Sequence, residues 1–181
     1  MTNFNIIECI RADLCRAKYL EYKKDFSKEG KIWIGLFSPR YAPILIFRLA
    51  YWCNTHHLNI VAKILSMFNV VFFGIEIAIS CKIGRGFYLP HTQGTVIGAH
   101  SLGDNVTIFQ GVTLGAKMLD FSYDDSLRPK VGDGVVIGAG AKIIGGVIIG
   151  SNAVIGANSV VLEDIPSDAV AFGVPAKYKF N

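Results

Sequence analysis

Charged side chains are scarce in this chain. Asp, Glu, Lys and Arg make up 18% of the 181 residues, against 51% hydrophobic. That balance excludes a disordered protein and allows a substantial core. The net charge is only +4 at pH 7, and its basic residues are mixed with Glu and Asp. No zinc-finger spacing, helix-turn-helix signal or aromatic-basic stripe is present, so a nucleic-acid partner is not expected. The cysteines, Cys9, Cys15, Cys53 and Cys81, show no CxxC or other tight spacing. No metal site follows from them, and they read as reduced, mostly buried thiols. The first residues include Glu8, Arg11 and Asp13 and lack the apolar centre of a signal peptide, which predicts a cytoplasmic protein. The longest apolar run, residues 58–79, is interrupted by Asn59, Lys63, Asn69 and Glu76. It makes a poor membrane span and reads as a core helix, with peripheral contact at the inner face of a membrane as the lesser alternative. GxSxG, Walker A, GxGxxG and HExxH are all missing, and Ser80, Ser101 and Ser159 lack a nucleophile-elbow context. Covalent catalysis is therefore not indicated.

Glycine, by contrast, is plentiful, with 19 residues clustered after Gly74. From Val131 the chain repeats every six residues: VGDGVV, IGAGAK, IIGGVI, IGSNAV, IGANSV, VLEDIP. Branched aliphatics open each unit at Val131, Ile137, Ile143, Ile149, Ile155 and Val161. The same period runs earlier through Ile77, Ile83 and Leu89. After one extra residue near Gly94–Thr95 it continues through Val96, Leu102, Ile108 and Leu114. A helix cannot produce this pattern, because six residues advance a helical face by about 240°. A short strand plus a turn can, and three such units close one triangular coil with the aliphatics inside. Coils stacked at about 4.8 Å predict slightly more than four turns and a prism roughly 20 Å tall.

Residues 116–130 break the repeat with charges, aromatics and a proline and read as an extruded loop. The first seventy residues differ in kind. Helical apolar spacing occurs in 4–20, 42–53 and 58–73. The expected organisation is a helical region over 1–73, a mainly β coil over 74–166 and a tail over 167–181. Helices would cover the open end of the coil, which otherwise exposes strand edges.

Four histidines are present. His56 and His57 sit in a turn between helices, and His100 in a turn of the coil, where a structural role is the better reading. His91 lies in LPHTQG, beside the break in the repeat, where the coil expects a small or aliphatic residue. An imidazole with an ordinary pKa near 6.5 suits a general base for a hydroxyl. A hydrogen-bonded histidine on the prism wall is the equal alternative.

Four stretches, CKIGRGFYLPHTQGTVIG, LGDNVTIFQGVTLG, RPKVGDGVVIGAGAKIIGGVIIGSNAVIGANSVVLEDIP and AFGVPAK, together resemble the serine acetyltransferase branch of the hexapeptide acyltransferases. The likeness spans residues 77–177, with an echo at IRADL and LIFRLAYW. It implies a left-handed parallel β-helix, a homotrimer with active sites between subunits, and acetyl-CoA as donor with no metal. It also implies that His91 is the general base. A coenzyme A groove would run past Gly115, Ala139, Ala157 and the GVPAK tail with Lys177, whose ammonium could meet a phosphate.

Two positions depart from the branch. An aspartate that orients the base histidine is replaced by Pro90, which leaves a backbone carbonyl, Glu76 or Asp13 as candidate orienters. A histidine before Pro-Lys, which helps hold serine, is replaced by Arg128, and the helical region is short. These departures resemble acetyltransferases of surface polysaccharides, so the expected acceptor is a sugar hydroxyl of capsule, O-antigen or exopolysaccharide. Tyr123, Asp124, Asp125 and Arg128 would shape its site. Serine O-acetyltransferase is the alternative, and a non-catalytic scaffold is a further one.

Overall fold

The computed structural model describes residues 5–23, 38–118 and 123–180. Three helices come first: α1 (Ile6–Tyr22), α2 (Ala42–Thr55) and α3 (Asn59–Phe73). Each has a local cause. The Asn5 side chain caps α1 by accepting from the N–H groups of Ile7 and Glu8. Pro43 sits in the first turn of α2, where a missing N–H does no harm. Gly74, at φ +61°, ends α3.

The remainder is a parallel coil with three faces. The first sheet stacks β1 (Ile75–Ile77), β3 (Thr95–Ile97), β6 (Thr113–Gly115), β9 (Lys142–Ile144) and β12 (Val160–Val161). The second stacks β2 (Lys82–Ile83), β4 (Ser101–Leu102), β7 (Lys130–Val131) and β10 (Ile148–Ile149). The third stacks β5 (Thr107–Ile108), β8 (Val136–Ile137), β11 (Val154–Ile155) and β13 (Ala169–Gly173), closed by β14 (Ala176–Phe180), which pairs antiparallel to β13. Lys130 pairs with Ile148, Val136 with Val154 and Lys142 with Val160, a constant step of 18 residues, or three hexapeptides. The first sheet carries five rungs, from β1 to β12, which agrees with the slightly more than four turns expected.

The inward aliphatics form one continuous core. Ile83, Leu89, Leu102, Ile108, Leu114, Ile137, Ile143, Ile149 and Ile155 are all at most 5% exposed. Each such burial contributes roughly 1.5–3 kcal/mol. One rung differs from expectation. Ile97, not Val96, points inward, with 0% exposure. The corner between Leu89 and Ile97 is therefore two residues longer than the repeat, and the next unit, from Ile97 to Leu102, is one shorter. The single-residue shift visible in the sequence is the net of these two, and the longer corner is the one that holds His91.

A buried ion pair joins cap and coil. Asp13 of α1 (0% exposed) meets Arg48 of α2 (1% exposed) through two contacts, Nε to Oδ2 at 2.8 Å and Nη2 to Oδ1 at 3.1 Å. Arg48 also donates to the carbonyls of Ile83 and Gly84, and Asp13 accepts from the Phe87 N–H at 2.8 Å. Burial pushes the Asp13 carboxyl up, while the guanidinium and the backbone N–H oppose that rise.

Helix α3 is not the core helix expected of residues 58–79. Only Ala62 and Asn69 of it are buried, whereas Ile60, Met67, Val71 and Phe72 are each more than 60% exposed. It rests on α2 along one narrow side, where Asn69 donates to the Pro43 carbonyl at 3.0 Å. Among the described residues no helix is long and apolar enough to cross a membrane.

Candidate active site

Two opposite edges of the first sheet collect the residues singled out in the sequence. The edge entered from the third sheet begins with the long corner at 90–94. His91 is exposed there, while Thr92 is 8% exposed and Thr95 is fully buried. Backbone bonds carry this corner down the coil: Gly111 N–H to the Gln93 carbonyl, Gly140 to Gln110, Asn158 to Ala139. Ala139 and Ala157 thus lie in one column beneath the His91 segment, each just ahead of a residue at positive φ, Gly140 (+74°) and Asn158 (+56°). At the foot of the column, Gly173 N–H donates to Ser159 Oγ at 3.2 Å and turns the β13–β14 hairpin back, with Lys177 exposed on β14. From the His91 corner to Ala157 this edge crosses three rung spacings, about 14 Å, and Lys177 lies beyond them on β14.

The other edge leads toward the second sheet and holds Gly115. A Cβ built there meets nothing within 4 Å, so the space beside this backbone is open. One rung above, Arg128 donates to the Gly98 carbonyl at 3.0 Å, and its guanidinium lies 3.6 Å from the Tyr123 ring centroid. The Tyr123 hydroxyl donates to the Ala99 carbonyl at 2.9 Å, and burial pushes its pKa up. Asp124 caps a short 3-10 turn, Asp125–Leu127, by accepting from Ser126. Asp125 Oδ1 lies 2.9 Å from His100 Nδ1, an ion-pair distance too far out of line for a hydrogen bond. The loop is thus pinned over the corner at Gly98–His100 by its second half. Its residues 119–122 lie outside the described residues.

The structure therefore brings His91, Ala139, Ala157 and Lys177 together on one edge and Gly115, Tyr123, Asp124, Asp125 and Arg128 on the other. Within one chain the two groups do not meet. Of the orienters considered for His91, Asp13 is fully committed to Arg48 and Phe87 in the cap. Among the described residues no hydrogen-bond partner reaches the His91 ring. Sequence reasoning passed over Thr92, whose hydroxyl donates to the Phe73 carbonyl at 2.8 Å. No spacing rule links those two positions, because the contact depends on where α3 ends. Among the described residues there is no group of three or more His, Cys, Asp or Glu side chains placed to hold a metal.

Comparison with known proteins adds the following. The six-repeat bacterial transferase hexapeptide signature matches residues 128–163. A serine acetyltransferase of Helicobacter pylori is 38% identical over 156 residues, 86% of this chain and 90% of that protein. One of Staphylococcus aureus is 44% identical over 117 residues, 64% of this chain and 54% of the relative. Among solved structures, the serine acetyltransferase of Neisseria gonorrhoeae superposes with a TM-score of 0.82 at 34% identity, covering 98% of this chain and 67% of that one. A serine acetyltransferase in complex with CoA gives 0.82 at 32% identity, covering 98% and 71%. The coil is accordingly a left-handed parallel β-helix with a helical cap.

These findings overturn the sugar acceptor expected from the sequence. The relatives are serine acetyltransferases, and the Helicobacter protein is nearly spanned by this chain, so a short helical region does not mark a saccharide enzyme. The resemblance to surface-polysaccharide acetyltransferases rested on that brevity and on Pro90 and Arg128, and those features do not outweigh identity along most of the chain.

Proposed function

The chain belongs to the serine acetyltransferase family of hexapeptide-repeat transferases, and from that premise we propose that it transfers the acetyl group of acetyl-CoA to the hydroxyl of L-serine. The observation that carries this reading is the 38% identity that extends over 90% of the Helicobacter serine acetyltransferase.

In this reading His91 is the general base. It takes the proton of the serine hydroxyl as that oxygen attacks the thioester carbonyl. The tetrahedral oxyanion draws on backbone N–H groups of the corner, and collapse expels the coenzyme A thiolate, which leaves readily because its conjugate thiol is acidic near pH 8.5. The donor lies along the edge beneath His91. Small side chains at Ala139 and Ala157 let its pantetheine arm approach the backbone, and Lys177 takes a phosphate at the far end. Gly115, Arg128 and Tyr123 come from a neighbouring subunit. A homotrimer that sets one chain's His91 edge against the next chain's Arg128 edge completes a site that one chain leaves divided. The long corner at 90–94, the edge beneath it and the tail then act as base holder, groove and phosphate clamp.

The test is CoA release from acetyl-CoA, detected with a thiol reagent. L-serine should give turnover well above hydrolysis, and L-alanine, which lacks the hydroxyl, should give none. Equal release with both amino acids, or none with serine, would sink the proposal.

A further inference from the structure

The structure poses the question of what fixes the base when the residue before it carries no carboxylate. A helix leaves its last carbonyls without intrahelical donors. At the end of α3 the Gly74 N–H turns back to Asn69 and Val70. The carbonyls of Phe73 and Gly74 are satisfied by the corner that carries His91. Phe73 accepts from the Thr92 hydroxyl at 2.8 Å, and Gly74 accepts from the Gly94 N–H at 2.9 Å. Thr92 closes the turn as well, its carbonyl accepting from the Thr95 N–H at 3.2 Å. Thr92 and Thr95 are buried, and His91 is exposed just ahead of them. On its other side stands Pro90, whose ring locks φ near −65° and restricts the buried Leu89 before it.

We propose that Thr92 is a positioning residue for His91: its bond to the end of α3 orients the base through the backbone, together with Pro90, in place of a side-chain carboxylate at position 90. The inference rests on His91 being the base. It explains how a corner two residues longer than the repeat can hold a reacting group in a fixed place. Both ends of the bulge are tied, one by ring closure and one by a buried hydroxyl. Without the hydroxyl, the Phe73 carbonyl and the corner lose their shared bond, and His91 gains freedom of a size that costs turnover rather than binding.

The experiment compares Thr92→Val, which keeps the shape and removes the donor, with Thr92→Ser, which keeps the donor. Steady-state kinetics would be measured on the full assembled chain with acetyl-CoA and L-serine. Thr92→Val should lower kcat about tenfold, with both KM values within about twofold of the parent. Thr92→Ser should recover most of kcat, although it loses from the packing the methyl that Val retains. A packing role alone predicts the reverse order, with Val the milder change, and that order would overturn the inference. So would an unchanged kcat in Thr92→Val. His91→Ala separates the two layers. Turnover surviving there removes the base and this inference together. Turnover lost there, with Thr92→Val unaffected, removes the inference alone.

Discussion

Replacing Asp13 by Asn tests whether the buried Asp13–Arg48 pair is a structural clasp or part of the catalytic apparatus. Both side chains are essentially inaccessible, at 0% and 1% exposure. Asp13→Asn leaves the Arg48 guanidinium buried, with only neutral oxygens to face it, those of the new amide and of the Ile83 and Gly84 carbonyls. Breaking a buried pair from one side costs about 3–5 kcal/mol. For a chain of this size that is a fall in Tm on the order of 10 °C. Arg48→Met should cost as much, since it strands the carboxylate. The double variant Asp13→Leu/Arg48→Met should lose clearly less than the two single losses added together, because no unpaired charge remains. It does not return to the parent, because the Phe87 N–H and two carbonyls lose partners, at about 1–3 kcal/mol for each one left unsatisfied. Thermal and urea unfolding at one fixed protein concentration measure all four proteins. The pH profile of kcat/KM supplies the second readout. Its shape should stay the same in Asp13→Asn, since Asp13 lies in the cap and touches Arg48 and Phe87. Additive losses in the double variant would refute the clasp. A displaced profile would show that Asp13 acts on the base after all.

His91→Ala should abolish turnover and leave the assembly state unchanged, as checked by kinetics and light scattering. Gly115→Ala should leave Tm unchanged, because its new Cβ meets nothing within 4 Å, yet raise the KM for acetyl-CoA severalfold if the donor passes there. Gly103→Ala is the contrast: its Cβ would stand 2.7 Å from the Asp133 nitrogen, and overpacking should cost about 1–3 kcal/mol, read by urea unfolding. The Cys81 thiol is pushed up to about 12 by burial, from an ordinary 9.0. The folded state holds that proton while the unfolded state releases it. The stability it contributes is intact below pH 9 and declines as pH rises toward 12. A Cys81→Ala variant should show a flatter alkaline limb in the unfolding curve, and in the parent a thiol reagent should reach Cys81 only on unfolding.

The prism was legible because its cause is local and repeated. Each six-residue unit states which aliphatic turns inward, and six consecutive units agree. Val96 misled because the long corner and the short unit after it nearly cancel, and only the net shift of one residue appears in the spacing. The roles of Asp13 and Thr92 were not legible, since each depends on where a helix ends in space. Asp13 finds Arg48 only once α1 and α2 are packed, and Thr92 finds Phe73 only once α3 meets the coil. Helix α3 was legible as a helix but not as an exposed one, because apolar composition cannot say how little surface its neighbours offer. The acceptor was misread for another reason. Pro90 and Arg128 are changes at two points, and neither names a ligand. Arg128 in the folded chain is largely occupied by Gly98 and Tyr123.

The two ends of the coil are closed by different means. At one end α2 is clasped to the first turn through Arg48, and at the other a single antiparallel hairpin folds over the last turn. In a stack whose rungs touch only their nearest neighbours, opening proceeds from whichever end yields first. The hairpin is the end expected to yield first, so fraying should run upward from Lys177 and reach His91 last. Amide exchange should be fastest in 169–180 and slow progressively toward Ile83. Such a gradient would make the molecule a zipper with one free tab, loosest at the tail and stiffest at the capped end.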